Sequence, residues 1–125
     1  MALEKKQASN QSSDVCVEVN PGVCGFSCVI HARKLDTQTV SLEITSSECK
    51  QIQKLSEDLT QISMMELFTP ISRNPIYLSA EKYGCHLPCI VPAAVLKTVE
   101  AALGMALPRD IHVRFVPCES TEMDG

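Results

Sequence analysis

The sequence has little of what a nucleic-acid-binding protein needs. It contains no tryptophan and only 4% aromatic residues, so few side chains are available to stack on bases. Its formal net charge is −4, whereas a protein that binds a phosphate backbone presents a basic face. We therefore expect that nucleic acid is not a partner.

Long apolar runs and common enzyme motifs are also missing. Residues 1–14 hold no apolar stretch of signal-peptide length, and no segment approaches the roughly 18 apolar residues of a membrane span. No serine lies in a nucleophile-elbow context, and no glycine run matches a nucleotide-binding loop. We expect a cytoplasmic protein without membrane contact, and the sequence does not indicate an enzyme with its own substrate pocket.

What the sequence does have is seven cysteines in 125 residues. Disulfides are rare in the cytoplasm, and a chain of this length can bury a core that needs no covalent support. The odd number would also leave one thiol over from a complete set of disulfides. Four cysteines lie at turns or helix starts, where sulfur chemistry explains them better than packing does: Cys24, Cys49, Cys85 and Cys89.

Alternation of apolar and polar residues predicts four strands. The first three cover residues 15–19, 26–33 and 39–45, and the last covers residues 111–115. On the second strand Cys28 faces inward and is expected in the core, while Cys16 on the first strand faces outward without an obvious partner.

Helical spacing predicts three helices between the third and last strands. The first begins after Ser46 or Ser47 and carries an apolar stripe made of Ile52, Leu55, Leu59 and Ile62. The second begins at Asn74-Pro75 and ends before Gly84, and the third runs from near Pro92 to Leu103.

The resulting order, β-β-β-α-α-α-β, predicts an α+β domain with one antiparallel-rich sheet and helices packed on one face. We expect this single domain to cover residues 15–117. A disordered arm, residues 1–14, precedes it, and an acidic tail, residues 118–125, follows it.

The strand order places two thiols at one end of the sheet. Cys24 precedes the second strand and Cys49 follows the third, so an antiparallel hairpin brings both to its open end. If the third helix starts at that end, Cys85, Cys89 and Cys118 converge there too. We expect the helix starts to lower the pKa of Cys49 and Cys89.

One interpretation of this convergence is a zinc or iron–sulfur site, since both take four ligands, mostly cysteine. Cys24, Cys49 and Cys89 supply three ligands, and either Cys85 or His86 supplies the fourth. Gly22 and Gly25 flank Cys24 and let the backbone turn its amides towards a bound cluster. The protein would then be a small accessory protein with a protein partner.

A second interpretation is sulfur transfer. The run from Leu87 to Thr98 resembles sulfur carriers of the TusA type, in which a Cys-Pro-x-Pro motif opens a helix and the cysteine carries a persulfide. Cys89 and Pro92 match that motif, whereas Ile90 replaces its first proline. The resemblance implies that Cys89 is the sulfur carrier.

A third interpretation is a metal-free interaction domain in which the cysteines only pack. The arrangement from Pro-Gly-x-Cys-Gly-Phe through Cys-His-x-x-Cys-x-Val-Pro to Ala-Leu-Pro-Arg-Asp is similar to that of a family of small uncharacterised proteins of anaerobic bacteria and archaea. This resemblance covers about residues 15–116 and implies no particular activity.

Overall fold

Four antiparallel strands form one sheet in the order β1-β2-β3-β4. In the computed structural model, which describes residues 14–45 and 47–118, the strands are β1 (Asp14–Val19), β2 (Cys28–Lys34), β3 (Thr39–Thr45) and β4 (Gln61–Ser63). The first three follow the alternation of the sequence, with buried and accessible side chains taking turns.

The strand register defines one end of the sheet. Val19, the last residue of β1, pairs with Cys28, the first residue of β2. Thr45, the last residue of β3, pairs with Val29. The β1–β2 loop, the start of β2 and the chain leaving β3 therefore lie at the same end, which we call the cysteine end.

The helices pack against the sheet. Their bounds are α1 (Lys50–Asp58), α2 (Met64–Leu67), a 3-10 helix (Ile71–Arg73), α3 (Pro75–Lys82) and α4 (Val91–Ala102). The α4 helix contacts β1 and β2, and α1 contacts β3. The α+β class with a single antiparallel sheet is thus confirmed.

The core lies between the sheet and the helices. On β2, Cys28, Ile30 and Ala32 are all fully buried, which confirms the inward position expected for Cys28. Apolar side chains of the helices face them, among them Ile52, Leu55, Ile76, Val91, Val95 and Val99. This arrangement holds the starts of α1 and α4 in fixed positions relative to the cysteine end.

The fourth strand is not where the sequence placed it. The α1 helix ends at Asp58 rather than continuing to Ile62, and Ile62 lies on β4 opposite Val40. Its side chain is buried in either conformation, so helical spacing alone could not reveal the change from helix to strand.

The strand predicted at residues 111–115 is not formed within the described part of the chain. These residues form neither helix nor strand, and no hydrogen bond joins them to another described residue. Alternation shows that a segment suits a sheet, whereas a strand also needs a partner.

The chain ends fall mostly outside the described residues. The predicted disordered arm lies outside them except for Asp14, which begins β1, and the predicted tail lies outside them except for Cys118. Among the described helices the longest has 12 residues, and none could cross a membrane.

Candidate cysteine site

Cys24 lies on the loop between β1 and β2 and is exposed. Gly22 and Gly25 on either side have φ of 96° and 72°, a left-handed conformation that side chains with a Cβ rarely adopt. The Gly25 N–H donates to the Gly22 carbonyl at 2.9 Å. The two glycines therefore form the tight turn that presents Cys24 beyond the cysteine end.

Cys49 occupies the N-cap position of α1. Its backbone N–H donates to Ser47 Oγ at 3.1 Å, and its thiol donates to Gln51 Oε1 at 3.2 Å. The half-buried Cys49 side chain packs against the core. Because β3 ends at the cysteine end, this short connection keeps Cys49 there, as the hairpin argument predicts.

Cys85 is placed by the end of α3. Gly84 has φ of 73°, its N–H donates to the Glu81 carbonyl, and the Cys85 N–H donates to the Ala80 carbonyl at 2.9 Å. These two bonds form a Schellman motif, which ends a helix and redirects the chain. Cys85 is half-buried against the core as a result.

Cys89 lies one residue before the N-cap of α4, Ile90. Its N–H donates to the His86 carbonyl at 3.0 Å, which closes a turn over residues 86–89. The Val91 N–H at the start of α4 donates to the Cys89 sulfur. Cys89 is half-buried, so a turn and a helix start together fix its position.

The electrostatics show that these thiols lie near one another. The pKa of Cys28 is raised from 9.0 to about 11, mainly by burial and in smaller part by the charges of Cys89 and Cys49. Burial, then Cys89 and Cys49, also raise the pKa of Cys85. The charge of Cys24 also raises the pKa of Cys89. Five cysteines, two of them on the same connection between α3 and α4, are thus linked by these effects.

The expectation that the helix start lowers the pKa of Cys89 is wrong. Burial raises this pKa, and the charges of Cys49 and Cys24 add to it, while the Val91 N–H acts in the opposite direction. A thiolate in a partly apolar environment loses more hydration than one backbone N–H replaces. Cys89 is therefore held as a neutral thiol near neutral pH.

The other candidate residues lie apart from this group. Cys16 is exposed on β1, and Cys118 is exposed at the end of the described chain. His86 is exposed, and within residues 14–45 and 47–118 its ring has neither a hydrogen bond nor an ion pair.

The thiols are not arranged as a preformed metal site. Among the described residues, no group of three or more His, Cys, Asp and Glu side chains could hold a metal ion as placed. The donor type suits zinc or iron, since both bind thiolates. The role of Cys24, Cys49, Cys85, His86 and Cys89 as ligands stays a prediction.

Sequence reasoning missed two features of the site. It assigned Cys28 to packing alone, although the register puts Cys28 at the same sheet end as Cys24 and Cys49. It also passed over two apolar side chains beside the site, Val23 and Leu87, which are 107% and 94% exposed. Val23 directly precedes Cys24, and Leu87 lies between Cys85 and Cys89. This adjacency in the sequence could have indicated both side chains.

Comparison with known proteins gives a family but no activity. No curated protein and no solved structure matches the chain. Nothing in the comparisons supports the resemblance to TusA-type sulfur carriers or a distribution in anaerobes. A family model covers residues 15–115, and the chain belongs to that family, the family of unknown function DUF6951.

Proposed function

We propose that the protein binds an iron–sulfur cluster or a zinc ion through Cys24, Cys49, Cys89 and a fourth ligand. Its role would be that of a small accessory protein that handles electrons or metal, or one in which the metal is structural. The observation that supports the proposal is the mutual electrostatic influence of five free thiols held at one end of the sheet.

Raised thiol pKa values fit a site that takes up a cation. In the metal-free protein each of Cys28, Cys85 and Cys89 resists ionisation, because burial removes water and neighbouring thiolates repel the charge. A bound cation reverses this balance and drives deprotonation of the cysteines that coordinate it. Metal uptake should therefore release protons and strengthen with pH.

We favour a cluster over zinc because a cluster can bridge cysteine ligands that lie further apart. Four sulfurs around one zinc, each at about 2.3 Å from it, are roughly 3.8 Å from one another. No described group of side chains is gathered in that way, whereas a cluster places iron and sulfide between its cysteine ligands. The exposed loop of Cys24 can then move towards Cys49 and Cys89 with little disturbance of the core.

Cys85 is favoured over His86 as the fourth ligand. The charges of Cys89 and Cys49 act on the Cys85 thiol, whereas His86 is exposed. Cys85 is also fixed by the Schellman motif, so its position would need the smaller adjustment.

The surroundings of the site support an accessory role with a protein partner. Val23 next to Cys24, and Leu87 between Cys85 and Cys89, are apolar and fully exposed, as expected where another protein docks. We place the protein in a reducing compartment such as the cytoplasm, because its thiols are all free. Sulfur transfer by Cys89 is less favoured, since the raised pKa keeps it from the nucleophilic thiolate form.

The test is anaerobic reconstitution of the full chain with iron and sulfide, and separately with zinc. We expect stoichiometric iron and acid-labile sulfide, and a broad absorption near roughly 400 nm from thiolate-to-iron charge transfer. A colourless protein with one bound zinc would assign a structural or metal-handling site. Protein that takes up neither contradicts the proposal and leaves the metal-free interaction domain.

Single serine variants identify the ligands. Cys24→Ser, Cys49→Ser, Cys85→Ser and Cys89→Ser should each reduce metal content or shift the absorption spectrum. Cys16→Ser is the matched control, because Cys16 is equally free but lies on the exposed face of β1. Equal metal content in all five variants would show that the thiols converge without coordinating a metal.

A further inference from the structure

The sheet has an uncovered edge at β1. This strand pairs with β2 on one side, and the order β1-β2-β3-β4 leaves its other side free of strands within the described residues. An edge strand offers a row of backbone N–H and C=O groups to another strand. Its apolar residues Val15 and Val17 are only half-buried although they face the helices.

A second unpaired element follows α4. Residues 110–116, which we call the C-terminal arm, form neither helix nor strand, and none of them forms a hydrogen bond to another described residue. Ile111, Val113 and Phe115 alternate along the arm and are 57%, 79% and 105% exposed. The arm therefore has the pattern of a half-buried strand but buries almost none of its apolar side chains.

The arm and the edge strand are complementary. On β1, apolar residues alternate with Cys16 and Glu18, which lie on the exposed face. On the arm, apolar residues alternate with His112 and Arg114. Pairing of the two would add apolar side chains to the incompletely covered inner face and place basic side chains beside the acidic Glu18, which favours the pairing.

We propose that the arm of one molecule adds as a fifth strand to the β1 edge of a second copy, and that the second copy returns the same contact. In a reciprocal exchange, the backbone N–H and C=O groups of both arms and both edge strands form hydrogen bonds, and the two contacts make one two-fold symmetric interface. Residues 107–113 pass beside a cleft of about 530 Å³ between β1 and α4 of their own molecule. No backbone hydrogen bond joins them to β1 among the described residues, so pairing within one molecule is the alternative that a mixing experiment must exclude.

The area available suits a specific dimer. Each arm carries four large exposed apolar side chains, Ile111, Val113, Phe115 and Val116, so two copies carry eight. Ile111, Val113 and Phe115 share one face of the arm, so their burial in both copies would supply part of the roughly 1,200 Å² at which specific interfaces begin. The paired backbones would add to that area.

Sedimentation equilibrium of the full chain under reducing conditions tests the proposal. We expect a dimer, with the amides of residues 111–115 protected from hydrogen exchange. Val113→Asp and Phe115→Asp should give monomers, and because both positions are exposed, circular dichroism should show an intact fold. Leu35→Asp is the control, since Leu35 is also exposed but lies in the turn between β2 and β3, and it should remain dimeric.

A mixing experiment separates exchange from pairing within one chain. Val17→Asp impairs the edge and leaves the arm intact, whereas Phe115→Asp does the reverse. A mixture of the two variants can form one intact arm–edge contact, so it should dimerise although each variant alone does not. A monomeric wild-type protein, or a dimer that Phe115→Asp leaves unchanged, would overturn the proposal, and so would protected arm amides in a monomer.

Discussion

Cys28 should make the stability of the protein fall at alkaline pH. Its thiol is completely buried, and its pKa is raised from 9.0 to about 11 in the folded protein. The folded state therefore holds its proton at a pH where the unfolded chain has lost it. The resulting stability is fully present below about pH 9 and is lost as pH rises through about 11.

The size of this effect follows from the two pKa values. At about pH 11 the unfolded thiol is almost fully ionised and the folded thiol half ionised, so the free energy of unfolding falls by about 2 kcal/mol. This is a large part of the roughly 5–15 kcal/mol that stabilises an ordinary domain. Urea unfolding under a strong reductant, from about pH 8 to about pH 11, would measure it.

Replacement of Cys28 isolates its contribution. At neutral pH, Cys28→Ala should lower the free energy of unfolding by about 1 kcal/mol because it leaves a small cavity. Between neutral and alkaline pH, however, the variant should lose roughly 2 kcal/mol less stability than the wild type does. Cys16→Ala, which removes an exposed thiol, should keep the full decline. If Cys28→Ala and the wild type lose the same stability, the raised pKa of Cys28 is not the cause.

Three further substitutions test how the elements around the site are held. Asn74→Ala should destabilise the protein by about 2–4 kcal/mol in thermal unfolding, because this buried side chain accepts from the Ile76 N–H and donates to the Glu66 and Thr69 carbonyls. Gly84→Ala should cost about 1–2 kcal/mol, since φ is 73° there, and should also shift Cys85. Leu55→Ala should cost about 2–5 kcal/mol because Leu55 is fully buried on α1.

Local patterns in the sequence were sufficient for most of the fold. The alternation in β1, β2 and β3, and the Asn74-Pro75 and Gly84 signals around α3, all correspond to elements of the structure. The errors lie where pairing between distant residues decides. Three-residue β4 depends on pairs such as Ile62 with Val40, and residues 111–115 have no strand partner among the described residues despite their alternation.

At the cysteine site, too, the sequence reveals local features but not those that depend on packing between distant residues. Strand order alone placed Cys24 and Cys49 at one sheet end, since antiparallel neighbours must exchange ends. It could not give the direction of α4, which depends on how the helix packs across β1 and β2. Nor could it show that Cys89 is held as a neutral thiol, because the loss of hydration comes from residues far away in the chain.

The distribution of the thiols relative to the core bears on the role of a bound metal. The protein buries nineteen hydrophobic residues among those described, and Cys28 is the one cysteine in that set. Cys24, Cys49, Cys85 and Cys89 lie at its margin, on turns and helix starts that backbone hydrogen bonds already define. Domains that depend on structural zinc have cores too small to fold without it. Here the core does not include the four proposed ligands, so we expect that the proposed metal could be removed without loss of the fold, which would favour metal or electron handling over a structural role.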